Sequence, residues 1–314
     1  MIDFRYHVVS IVAVFLALAL GLFIGGTSLR GTFANDINNR ADKVAGQNRA
    51  LKGEISTLQD QLRDEQRFET ATQPFITTSA LAGESVVVVS APGVDGGTRS
   101  RLMDALTAAG ANVTGDVRLQ DALLDPAQRT FLDTLVARLN IPGHTLPAGS
   151  GSQRAMGLLA EVLGTRPQST PVAASATARV LAGYSDGNLL TVSGNPVRSA
   201  SLAVVLAPPP PNDTANPKDE QARDALLLDL ARALDRSAVG AVLAGPLASA
   251  DDGLLKVART DKELTADVST VDGVDLPRGL IATVLALAEQ AKGGVGSYGT
   301  QSGASEPVPT PSPS

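Results

Sequence analysis

The sequence predicts an α/β protein in which a single N-terminal transmembrane helix and a coiled coil precede a doubly wound, mostly parallel α/β domain. Three observations carry that prediction. An uncharged apolar run extends from Val8 to Ile24, a heptad repeat follows it, and β-branched runs alternate with amphipathic stretches from Ser85 onward. The expected divisions are a membrane anchor at 1–29, a coiled-coil neck at 30–74, a globular domain at 75–298 and a disordered tail at 299–314.

The anchor comes first. Val8–Ile24 contains 17 uncharged residues, and Gly25 and Gly26 extend the run to 19. At about 1.5 Å per residue, the run reaches roughly 28 Å, close to the hydrocarbon thickness of a bilayer. Twelve of the 17 are Val, Ile, Leu or Phe. At roughly −0.3 to −0.6 kcal/mol each, they contribute about −4 to −7 kcal/mol toward insertion. The alternative is a cleaved signal peptide, with Thr32-Phe33-Ala34 as its cleavage site. Against it, the apolar core is longer than such a peptide uses, and a single Arg5 precedes it. Orientation stays open on charge alone. Arg5 and the amino terminus lie before the span, whereas Arg30, Arg40 and Lys43 follow it, interspersed with Asp36 and Asp42.

Within the span, Ala13, Ala17, Gly21 and Gly25 recur every fourth residue and make one face of small side chains. Lipid supplies no hydrophobic drive between helices, so association relies on close backbone approach, which such a face permits. These four residues are therefore candidate transmembrane packing positions. In the neck, Ile37, Val44, Leu51 and Leu58 take heptad position d, and Ala34, Ala41, Asn48, Ile55 and Leu62 take position a. Asn48 is the polar member, a device that fixes register in two-stranded coils. Gly46 and Gly53 weaken the helix by about 1 kcal/mol each. The candidate coiled-coil core is thus Ile37, Val44, Asn48, Leu51, Ile55, Leu58 and Leu62, with Gln73-Pro74 as its expected end. Span and neck both lead to the expectation of a homodimer in contact with membrane lipid.

The globular domain opens with Ser85–Val89, a continuous β-branched run of the kind buried on both faces in parallel sheets. A helix over Thr98–Ala109 and a strand from Ala111 complete a βαβ unit, with Gly110 as the helix cap. Further helices are expected at Pro126–Leu139, Ser152–Leu163, Ser175–Gly183, Lys218–Leu234 and Pro277–Ala291. Further strands are expected at Leu189–Val192, Leu202–Leu206, Val239–Leu243 and Val268–Val271. Pro208–Pro211 reads as an exposed loop. The strands do not alternate as a membrane barrel requires.

Chemistry is sparse. The chain carries 26 basic and 32 acidic residues, for a net charge of −6, with no basic block, so a nucleic-acid partner is not expected. Cysteine is absent, and His7, His144, Met1, Met103 and Met156 are the remaining soft or borderline metal ligands. No nucleophile–base pair emerges, so no catalytic residue, enzyme activity or cofactor is expected, and metal ligands stay unknown. Ala91-Pro92-Gly93-Val94-Asp95-Gly96-Gly97 sits between a strand and a helix, where a phosphate could be cradled. It matches neither dinucleotide nor P-loop spacing and reads as a turn. Asp251, Asp252, Asp272 and Asp275 also read as turn residues.

Two stretches carry a resemblance. The N-terminal one is Ile2-Asp-Phe-Arg-Tyr-His-Val-Val-Ser-Ile-Val-Ala-Val-Phe-Leu-Ala-Leu-Ala-Leu-Gly. The C-terminal one comprises Val268-Ser-Thr-Val-Asp-Gly-Val-Asp, Ile281-Ala-Thr-Val-Leu-Ala-Leu and Gly293-Gly-Val-Gly-Ser-Tyr-Gly. Together they resemble the actinobacterial copper transporter MctB family, along nearly the whole chain. The resemblance implies copper efflux by a protein of the cell envelope, and it tips the open orientation toward an extracytoplasmic globular domain. Corynebacterial relatives, the SteB-like envelope and division proteins, imply an alternative. In it the chain is a dimeric membrane-anchored scaffold with a membrane-bound, thiamine-pyrophosphokinase-like partner. No family motif of copper ligands maps onto these positions.

Overall fold

A computed structural model describes residues 4–139, 141, 143–144, 148–167, 169–193, 197–211 and 216–310; for residues 4 and 27–39 it describes the backbone alone. The chain forms two compact units, Met1–Glu65 and Gln66–Ser314. Helix α1, Phe4–Thr77, supplies the described part of the first unit and the opening of the second. Within it, Arg5–Gly26 is a 22-residue stretch long and apolar enough to cross a membrane.

The expected stop at Gln73-Pro74 is corrected, because α1 continues through Pro74 to Thr77. A proline near a helix end removes few intrahelical bonds, and hydroxyls make up for the terminal carbonyls. Thr77 Oγ1 donates to the Gln73 carbonyl at 2.9 Å, and Thr78 Oγ1 donates to that of Pro74. The last turns of α1 belong to the second unit, where Glu69 lies 3.7 Å from the Arg278 guanidinium and Thr77 is buried.

The second unit continues with β1 (Ser85–Ser90), α2 (Gly96–Ala108) and β2 (Asn112–Leu119). Two short 3-10 turns lead to α3 (Arg129–Arg138), α4 (Gly151–Leu163) and α5 (Ala174–Asp186). Then come β3 (Leu190–Ser193), β4 (Leu202–Leu206), α6 (Pro217–Ser237) and β5 (Gly240–Ala244). Three short helices, α7 (Leu247–Asp252), α8 (Leu254–Thr260) and α9 (Leu264–Asp267), precede β6 (Ser269–Val271), α10 (Pro277–Gln290) and β7 (Ser297–Tyr298). The strands form one seven-stranded sheet in the order β3-β2-β1-β4-β5-β6-β7. Neighbours are parallel except β2 and β3, which are antiparallel.

The continuous valine run of β1 is explained by burial on both faces. Val86 and Val88 pack with Leu102 and Leu106 of α2 and Leu280, Val284 and Leu287 of α10. Val87 and Val89 pack with the other cluster, which includes Leu132, Leu159, Val180, Leu230 and Leu255 from α3, α4, α5, α6 and α8. Different helices therefore cover the two sides of the sheet.

Residues 299–310 are not the disordered tail that their composition suggests. Gly299 N–H donates to the Glu306 carbonyl at 3.0 Å and Ser305 N–H to that of Ser297 at 2.8 Å, folding the segment back on β7. Side-chain acceptors hold it there. Asp272 takes the N–H groups of Thr300 and Gln301 at 3.0 and 3.1 Å. Serine, glycine and threonine offer little apolar surface, so these polar bonds, with Val308 packed against the α2–α10 cluster, order the stretch.

Candidate functional site

The strand order runs away from β1 in both directions, with β2 on one side and β4 on the other. In open α/β sheets, the crevice beyond the carboxyl ends of such strands is where ligands bind. A cleft of about 520 Å³ lies there. The turn after β1 contributes Ala91, Pro92 and Gly93, and the turn after β4 contributes Pro208–Pro211. Leu124, Leu227 and Leu254 give it apolar walls, and α6 presents Asp219, Glu220, Arg223 and Asp224.

The cleft is acidic. Asp121, Asp219, Glu220 and Asp224 set four carboxylates against one guanidinium, that of Arg223, and Arg223 is already paired with Asp121. Burial, with Glu220 adding repulsion, pushes the Asp224 carboxyl up to about 6. An extra positive charge entering this space would relieve both effects, so the lining favours a cationic guest over an anionic one.

The glycine-rich turn before α2 is not an anion cradle. Asp95 caps the helix, accepting the Thr98 N–H at 2.7 Å, and that bond holds its carboxyl below the ordinary range. The helix terminus thus carries its own anion. A Cβ on Gly97 would sit 3.0 Å from Asp95 Oδ2, which explains a small residue there.

The predicted packing residues fall on helix α1. Ala13, Ala17, Gly21 and Gly25 are on its surface, and a Cβ added at Gly21 or Gly25 would meet nothing within 4 Å. Val44, Leu51, Ile55, Leu58 and Leu62 are 50–60% exposed, and Asn48 is exposed beside them. The side chains of Ala34 and Ile37, like those of Thr32-Phe33-Ala34, lie outside the described residues.

Of the candidate metal ligands, Met1 lies outside the described residues, and the other four are not brought together. Met156 is fully buried in the core, Met103 is half-buried against the α2–α10 cluster, and His7 is exposed on the span. His144 has its Nδ1 2.6 Å from the Glu161 carboxylate. Among the described residues, no group of three or more His, Asp or Glu side chains gathers to hold a metal ion.

Asp272 is corrected from a turn residue to a structural ion-pair partner. Its carboxylate lies 3.0 Å from Arg259 Nη2, with the two side chains 1% and 3% exposed. The guanidinium also donates to Thr270 Oγ1 and to the carbonyls of Tyr298 and Ser302. Two of the C-terminal motifs, Val268–Asp275 and Gly293–Gly299, therefore meet at one buried network. Sequence reasoning missed it because Arg259 lies in no motif.

A family model described as "Copper transport outer membrane protein, MctB" matches residues 1–309. The chain belongs to this family. Proteins named Copper transporter MctB from Mycobacterium bovis and Mycobacterium tuberculosis are 29% identical over 317 residues, covering 97% of this chain and 98% of theirs. The Mycobacterium leprae protein of the same name is 28% identical over 315 residues with the same coverage. MctB membership bears out the resemblance read from the two ends of the sequence. The family is named for transport and not for catalysis.

Proposed function

We propose that this MctB-family chain acts in copper efflux from the cell. In this reading it is a single-pass protein of the cell envelope, with its α/β domain outside the cytoplasm. The observation that carries the reading is the match of the family along the whole chain, from the apolar helix to the folded C-terminal segment. Helix α1, not the sheet, is the part suited to lipid. The strands of that sheet are covered on both faces, and a barrel wall needs one apolar face open to lipid. The outward strand order from β1 supports a doubly wound domain with its ligand crevice at the acidic cleft.

Copper is the cargo here. Carboxylate and water oxygens suit its divalent form better than its monovalent form, which prefers sulfur. The cleft offers carboxylates that concentrate cations without gathering into a chelating cluster. The test is the copper content of cells that lack the protein, grown in copper and complemented with the full chain. Loss of the protein should raise cell copper several-fold, and the full chain should restore it. Equal copper in all three strains refutes the reading. Asp224→Asn with Glu220→Gln should restore it less well than the unaltered chain. Orientation is checked with Gln301→Cys in this cysteine-free chain: an impermeant maleimide should label it in intact cells.

A further inference from the structure

The two apolar faces expected to make a dimer lie on one uninterrupted helix, so their angular relation is fixed by residue count. Helix α1 runs without a break from Phe4 to Thr77. At about 100° per residue, the small-residue face of Ala13, Ala17, Gly21 and Gly25 is centred about 160° from the seam of Val44, Asn48, Leu51, Ile55, Leu58 and Leu62. Underwinding the whole helix to about 3.5 residues per turn, as a supercoil does, still leaves about 100° between them. Ala13 then falls in register with the seam, but Gly21 and Gly25 lie about 130° and 180° from it, so one partner helix cannot cover both the seam and the Gly21–Gly25 end of that face.

We propose that the neck alone pairs two copies of this chain, parallel and in register along the Val44–Leu62 seam, and that the Gly21–Gly25 end of the span's small-residue face points away from that pair's axis. The seam is an unpartnered apolar stripe in the single chain, with five side chains at least half exposed. Its occupant is identified by three features. First, Asn48 is the polar residue at an a position. Parallel in-register pairing sets the Asn48 amides of two copies against each other, whereas antiparallel pairing sets each against an apolar d residue and leaves it unsatisfied. Second, the flanking charges suit self-pairing. Across a parallel pair Arg40 faces Ala45, Gln47 faces Lys52 and Glu54 faces Gln59, so no like charges oppose each other. Third, two copies anchored in one membrane through the same end of α1 send their necks out side by side in the same direction.

The absence of cysteine makes the test direct, because every disulfide comes from an introduced residue. Leu51→Cys, Leu58→Cys, Ala50→Cys and Gly21→Cys are made singly in the full chain, in native membranes. Each is oxidised with diamide and run on non-reducing gels. Leu51→Cys and Leu58→Cys should each give at least tenfold more covalent dimer than Ala50→Cys, which points outward. Combining Leu51→Cys with Gly21→Cys should give either the Leu51 dimer alone or a ladder above it, since Gly21 does not face the same partner. Equal linking at Ala50 and Leu51, no linking at Leu51 and Leu58, or a double variant that stops at dimers while Gly21→Cys alone links fully, overturns the proposal. Diamide linking reads proximity whether or not the protein moves copper.

Discussion

The Arg259–Asp272 pair gives the sharpest test of what holds the α/β domain together. Asp272→Asn changes one atom and removes one charge, leaving the Arg259 guanidinium 3% exposed without a counter-ion. Truncating one partner of a buried pair costs about 3–5 kcal/mol, because the remaining charge stays desolvated. Against a total stability of about 5–15 kcal/mol, that is a large share. For a unit of this size, about 1 kcal/mol moves Tm by roughly 2–4 °C, so Asp272→Asn should lower Tm by about 6–20 °C. Thermal unfolding in detergent can be followed by tyrosine emission, since the chain has three tyrosines and no tryptophan. Tyr298 sits beside the network. Adding Arg259→Met removes the orphaned charge and should recover part of the loss, so the double variant is less damaged than the sum of the singles. The released segment gives a second readout: the Thr300 and Gln301 amides, whose hydrogen bonds Asp272 accepts, should exchange their hydrogens faster in Asp272→Asn. A Tm change under about 2 °C, or strict additivity, refutes the account.

Three further outcomes are expected. Burial pushes the Asp235 carboxyl up to about 6, with Asp267 adding repulsion and Arg166 opposing it. The folded state then holds its proton above the unfolded value, so that contribution is complete below about pH 4 and is lost as pH rises through about 6. Asp235→Asn should flatten this fall, on the order of 1–2 kcal/mol after solvent screening, in urea titrations at pH 4 and 7. Gly279→Ala would place a Cβ 2.0 Å from the Gly273 carbonyl oxygen, in a turn where Gly273 itself has φ +72°, so at least about 2 kcal/mol of stability should be lost in urea unfolding. Tyr184→Phe, which abolishes a buried 2.7 Å bond to the Ala155 carbonyl, should cost about 1 kcal/mol. Ser90→Ala, at a buried hydroxyl without a protein partner, should cost nothing or stabilise slightly in the same assay.

Legibility followed local physics. The valine run, the amphipathic helices and the α2 cap at Gly110 could be read because each is set by neighbours in sequence, and each appears where expected within a few residues. The strand β3 is legible at Leu189–Val192, but its antiparallel direction is not, since Leu190–Ser193 looks the same whichever way its neighbour runs. The tail was misread because composition registers missing apolar surface and not the hydrogen bonds that Asp272 supplies from 28 residues upstream. The turn after β1 is legible as a turn from its glycines and proline, and Asp95 in it caps α2. The cleft it borders was not noticed, because Asp121, Pro208 and Asp224 converge only through the strand order.

The poverty of soft ligands bears on how a copper-transport chain can work. Passing an ion along requires binding weak enough, or shared over enough sites, to release it. This chain has no cysteine, buries Met156 in its core and sets His144 against Glu161. What it presents is an acidic crevice with an excess of carboxylates at the carboxyl ends of its central strands. Such a surface raises local cation concentration and exchanges it freely. The span offers no ionisable side chain beyond Arg5, Tyr6 and His7 at its entrance, so a single helix supplies no polar route through lipid. Under the proposed role in efflux, movement of copper across the membrane depends on how copies or partners are arranged around α1. If the neck pairs as proposed, the direction in which Gly21 and Gly25 then face is the geometric constraint that such a mechanism has to satisfy.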